Sequence, residues 1–112
     1  MAGIMLQAGA HVTLVVILTV RREALEQFRA FEAQAAVVMG THGGRIERTV
    51  VVCEAGSPDV IKEVHIVTFP SAESFRAYRA DERLRELAHL RDASVVHTDV
   101  LAGEDGPHYG PS

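Results

Sequence analysis

A chain of 112 residues can build one hydrophobic core and one domain, small enough that association with a copy adds usefully to its buried surface. Eleven Lys and Arg against fifteen Asp and Glu give a formal charge of −4, which leaves no basic field to hold nucleic acid phosphates or anionic lipid. The single cysteine, Cys53, excludes an intrachain disulfide and a cysteine-based zinc motif, and it suits a reducing cytoplasm.

Residues 1–9 form an N-terminal segment without a basic start or a cleavage pattern, and the apolar run that follows, Val12 to Val20, is too short to span a membrane. A cytoplasmic protein with no membrane partner is expected. HVTLVVILTV at 11–20 is dense in β-branched residues and almost continuously apolar, as a central strand covered on both faces should be. From Arg22 to Met39 the period changes: Leu25, Phe28, Ala35 and Met39 fall on one stripe and predict an amphipathic helix. GTHGG at 40–44 stops it, and RIERTVVVCE returns to strand character. AGSPD at 55–59 is a turn, after which KEVHIVTF at 62–69 is a third strand, ended by Pro70. Ser71 is a candidate N-cap for a helix through Phe75 and Tyr78, and Asp81 restarts a second piece with Leu84, Leu87, Ala88 and Arg91 along one side. SVVHTDVL at 94–101 is the last strand. Residues 10–102 make the domain, and 103–112, rich in glycine and proline, read as a tail.

The order strand, helix, strand, strand, helix, strand implies an α+β, ferredoxin-like βαββαβ domain with a four-stranded antiparallel sheet and both helices on one face. The other face needs cover, because either alternate set of residues in HVTLVVILTV is too apolar to leave wet, and a second copy of the chain supplies it. A homodimer is expected, with a pocket between sheet and helices or between the two sheets.

In KEVHIVTF, Val64, Ile66 and Thr68 look like ordinary core, whereas Glu63 and His65 share the opposite face with Val67 and Phe69. Glu63 can orient the His65 imidazole as a general base; an interface histidine satisfied by a partner chain is the alternative. His11 neighbours them if strands one and three pair, completing a catalytic trio of His65, Glu63 and His11. The same three residues are a two-histidine, one-carboxylate metal inventory, but no compact ligand motif accompanies them, and neither metal nor cofactor is expected. Glu32 interrupts the apolar stripe of the first helix, and Arg91 holds the equivalent side of the second, so the two can form an ion pair, structural or ligand-binding. His42 serves the THGG turn or stands at a pocket mouth. His97 and Asp99 fit a solvated sheet edge, and Cys53 a small buried apolar site.

The stretch EVHIVTFPSAESFRAYRADERLRELAHLR, with SVVHTDVLAG after it, resembles an uncharacterised bacterial family of the dimeric α+β barrel superfamily. Glu63 and His65, the turn at Phe69 to Ser71, Phe75 and Tyr78, the pair Leu90 and Arg91, HGG at 42–44 and Glu32 carry the likeness, which covers roughly residues 10–102. The superfamily it implies holds cofactor-free monooxygenases, muconolactone isomerase-like enzymes, polyketide cyclases and chlorite dismutase-like heme proteins. Phe69 and Tyr78 join Glu32, Arg91 and His42 as the expected substrate-binding set. A cofactor-independent isomerase, cyclase or monooxygenase acting by proton abstraction on a small, largely apolar molecule is the expected function, and a ligand-binding dimer without turnover the alternative.

Overall fold

The computed structural model describes residues 11–52 and 56–111. Cys53 and residues 1–9 lie outside them.

Strand β1 (Val12–Arg21) leads through a 3-10 turn (Arg22–Ala24) into helix α1 (Leu25–Thr41). Strands β2 (Arg45–Val52) and β3 (Val60–Phe69) follow, then helices α2 (Ala72–Arg79), α3 (Glu82–Arg85) and α4 (Ala88–Ser94), and strand β4 (Val95–Gly103). The strands form one antiparallel sheet in the order β2-β3-β1-β4, the ferredoxin-like arrangement expected. Residues 104–111 are exposed and carry no regular structure. No helix among the described residues is long and apolar enough to cross a membrane.

Register decides what each strand residue meets. Val16 lies opposite His65, Leu18 opposite Glu63 and Val12 opposite Phe69, so the even positions of β1 and the odd positions of β3 share the helix-covered face. Val12, Leu14, Leu18 and Val20 are buried there against Met39, Phe28, Phe69 and Phe75. This corrects the expectation for KEVHIVTF: its mixed face, with Glu63 and His65, is the inner one, and Val64 and Ile66 sit half-buried on the face that no helix covers. Around them on that open face lie Val15, Ile17, Val50 and Leu101.

The turn from α1 into β2 shows how tightly one end of the core closes. Gly43, at φ 76°, and Gly44 finish the helix with Gly43 N–H donating to Gly40 O and Gly44 N–H to Met39 O, both at 3.0 Å. Gly44 is buried by close approach: a Cβ there would lie 2.4 Å from Phe69 Cε1 and 2.7 Å from Met39 Cγ. Gly44→Ala should therefore force the Phe69 ring aside and cost on the order of 1–3 kcal/mol. A thermal melt should show it as a loss of roughly 4–8 °C per kcal/mol.

The helical segment after β3 is cut into pieces by its own caps. Ser71 Oγ accepts from Ser74 N–H at 3.1 Å, as expected of an N-cap. Asp81 Oδ1 accepts from Arg83 N–H at 2.9 Å and starts α3, which ends after four residues. Helix α4 then begins afresh at Ala88, so the apolar stripe of Leu84, Leu87, Ala88 and Arg91 crosses a break.

Candidate functional site

A cavity of about 430 Å³ lies between the helix-covered sheet face and the helices, within the size range of small-molecule sites. Its walls are mostly apolar, from Leu14, Val16 and Leu18 on β1 to Phe31 and Met39 on α1 and Phe75 and Tyr78 on α2. Polar groups enter from His65, Glu32, Tyr78 and Thr98, and from three arginines at the border, Arg79, Arg85 and Arg91.

His65 stands in the middle of β3, 4% exposed, with Glu63 two residues away on the same strand face and 5% exposed. The two side chains meet at 2.8 Å, His65 Nε2 to Glu63 Oε1. A carboxylate only accepts hydrogen bonds, so Nε2 carries the proton of this bond and donates it. The second Glu63 oxygen lies 3.5 Å from the Arg29 guanidinium on α1, which anchors the carboxylate from behind. One helical turn on from Arg29, the Glu32 carboxyl approaches the other ring nitrogen, Nδ1, at 3.7 Å. The imidazole is thus clamped at Nε2 and leaves Nδ1 turned to Glu32.

Burial, more than any neighbour, pushes the Glu32 carboxyl above its ordinary range; His65 opposes the shift and the charge of Glu63 adds to it. Burial likewise pushes the Tyr78 hydroxyl up to about 12, with the nearby Glu32 charge contributing, so Tyr78 is a neutral hydrogen-bonding group at any physiological pH. Because Glu32 keeps its proton to higher pH in the folded chain than in the unfolded one, its stabilising contribution is complete below about pH 4.5 and is lost as pH rises through the folded value. Glu32→Gln should therefore be more stable than wild type at about pH 8, by on the order of 1 kcal/mol, with the gain shrinking toward about pH 5. Melting curves of both proteins across that range check it.

Of the residues expected from sequence, the structure brings together Glu63, His65 and Glu32, and lines the same cavity with Phe69, Tyr78 and Arg91. His11 does not join them. It precedes β1 and is exposed, its odd parity belongs to the open face, and it lies five positions from the residue that faces His65, roughly 16 Å along the strand. The catalytic trio and the metal set built on it do not converge. Nor does Glu32 pair with Arg91: its ionic neighbour is His65, and Arg91 sits exposed at the cavity rim because the restart at Ala88 resets the helix that carries it.

His42 stands behind Tyr78, outside the lining, with its ring edge-on at 6.3 Å. Its Nε2 meets Asp81 Oδ2 at 2.7 Å, and the same carboxylate accepts from the Arg83 side chain. These bonds hold Asp81 well below the usual carboxylate range, with Arg83 the larger cause. The cluster ties the end of α1 to the start of α3. His97 and Asp99 pair at 3.0 Å, both exposed, as a solvated edge should.

Two residues of the site escape sequence reasoning. Arg29 falls on the polar side of α1 and gives no signal except its spacing of three from Glu32. Thr98 lies between His97 and Asp99 on β4, yet points to the cavity with a buried Oγ1.

No family model matches the chain, and no curated protein matches it. Solved structures do. A protein of unknown function from Rhodopseudomonas palustris aligns with a TM-score of 0.73 at 16% identity, over 89% of this chain and 85% of its own. The cofactor-independent oxygenase SnoaB from Streptomyces nogalater aligns at 0.64 and 17% identity, over 88% and 96%. A candidate antibiotic biosynthesis monooxygenase from Nitrosomonas europaea aligns at 0.65 and 11% identity, over 91% and 95%. What these structures share with the chain is the fold, a four-stranded antiparallel sheet with helices in the ferredoxin-like arrangement.

Proposed function

We propose that the chain is a cofactor-independent enzyme that takes a proton from an acidic C–H of a small, largely apolar organic molecule, in a reaction of the isomerase, cyclase or monooxygenase type. The observation that carries this reading is the clamp on His65. With Nε2–H held by Glu63, the free lone pair is on Nδ1, and proton transfer to it creates an imidazolium that the Glu63 carboxylate stabilises in place. The apolar walls hold the carbon skeleton, and the neutral Tyr78 hydroxyl can donate to an oxygen that gains charge as the proton leaves. SnoaB, of the same fold, supports the class of chemistry at the level of architecture only.

The reading includes a homodimer closed through the open sheet face, where Val15, Ile17, Val64 and Ile66 form an apolar centre. Light scattering should give twice the chain mass at micromolar concentration, and Ile17→Lys, which puts a charge in that centre, should give a monomer.

The base itself is tested without knowing the substrate. 5-Nitrobenzisoxazole loses its ring C–H proton to a base while its N–O bond breaks, giving a coloured cyanophenolate with no cofactor and no oxidant. The protein should accelerate this elimination, and His65→Gln should remove roughly 10²-fold or more of the acceleration. Equal rates for the two proteins, with a co-purifying molecule recovered unchanged, would favour a binding dimer without turnover.

A further inference from the structure

The cavity is chemically uneven from end to end. Leu18 pairs with Glu63 on one side and with Thr98 on the other, while His65 pairs with Val16, so Thr98 is two strands across and two residues along from the proposed base. That is about 12 Å between Cα positions, the length of a one- to three-ring molecule once both side chains reach inward. At this far end the lining holds Thr98 from β4 and Arg91 from α4, and proton abstraction uses neither.

Neither is engaged by another side chain of the described residues. The Thr98 Oγ1 is buried with no hydrogen-bond partner among the described residues, which is unfavourable unless something else supplies one. Three arginines border the cavity, against Glu32 as the acid in its lining. Arg79 lies over the Phe75 ring at 5.5 Å, and Arg85 pairs with Glu82 at 3.3 Å. Arg91 has no ion pair among the described residues. A guanidinium offers a planar fork of donors and a threonine hydroxyl one more, which together match the two oxygens of a carboxylate. Glu32 faces the other end of the cavity, 3.7 Å from His65 Nδ1. Arg91 and Thr98 also border a neighbouring hollow of about 340 Å³ that holds Asp92 and His97, the latter occupied by Asp99.

We infer that the ligand is an organic acid: an otherwise apolar molecule of one to three rings whose carboxylate is bound by Arg91 and Thr98 at the far end of the cavity. This deepens the proposed function and rests on it only for which end of the molecule reacts, the end beside His65.

The test is a binding titration with arenecarboxylates of one, two and three rings (benzoate, 2-naphthoate, anthracene-2-carboxylate), each against its neutral amide. At least one carboxylate should bind wild type roughly tenfold or more tightly than its amide. Arg91→Gln should abolish that preference, Arg91→Lys should keep part of it because charge survives without the fork, and the near-isosteric Thr98→Val should weaken the carboxylate more than the amide. Arg91 is exposed, so its variants should fold, and circular dichroism checks all three. The proposal is overturned if no carboxylate in the series is preferred over its amide, including the case in which none binds in the millimolar range, or if Arg91→Gln leaves the preference intact. The neutral benzisoxazole separates the two readings: carboxylate preference without elimination keeps the acid site and removes the base, and elimination without preference does the reverse.

Discussion

His65→Ala and Glu63→Ala are each expected to cost on the order of 3 kcal/mol of folding stability, a fall in melting temperature well beyond 10 °C for a domain of this size. Both side chains are almost fully buried, and each is the other's hydrogen-bond partner at 2.8 Å. Truncating His65 leaves a carboxylate inside the core whose remaining contact is Arg29 at 3.5 Å; truncating Glu63 leaves a buried ring N–H with nothing to accept it. The double variant should lose less than the sum of the two by about 1–3 kcal/mol, because no orphaned group remains. Chemical denaturation of the four proteins closes this cycle. Additive losses would mean that the two residues are buried side by side without depending on each other.

The second large effect is on rate. Glu63→Gln should keep the fold and still slow the benzisoxazole elimination by roughly 10²- to 10⁴-fold. The introduced amide has one oxygen and one NH2 to place between Arg29 and His65. Arg29 can only donate, so it draws the amide oxygen and turns the NH2 toward Nε2. Nε2 must then accept, the ring proton moves to Nδ1, and the nitrogen facing Glu32 is no longer a base. Adding Arg29→Ala to Glu63→Gln should restore part of the rate, since the amide is then free to turn its oxygen back. A Glu63→Gln variant at wild-type rate would show that Nδ1 is not the working nitrogen.

Much of the fold is written locally. The β-branched run at 12–20, the change of period after Arg22, the glycines at 43–44 and the caps at Ser71 and Asp81 each mark an element that forms where they stand. What alternation cannot supply is the choice of face. KEVHIVTF reads equally well with either side inward, and the side that looks polar goes inside because α1 brings Arg29 and Glu32 to meet it. The same gap explains His11, which is assigned to the wrong face until the register with β3 is known, and Arg91, whose expected pairing assumes one helical piece from Asp81 to Arg91 where the chain makes two short ones. The buried hydrogen-bonded pair is therefore Glu63 and His65, where an ion pair between Glu32 and Arg91 was expected. Thr98 was invisible because one hydroxyl in a strand acquires meaning only from the cavity it faces.

The most direct measurement is the tautomer of His65, read from the 15N shifts of its ring and their couplings to the ring carbons' protons while the imidazole is neutral. The account predicts the proton on Nε2, held by Glu63, and the shift of a bare imine nitrogen at Nδ1. A proton on Nδ1, with Nε2 bare, would contradict it, for the nitrogen assigned to take the substrate's proton would already be carrying one.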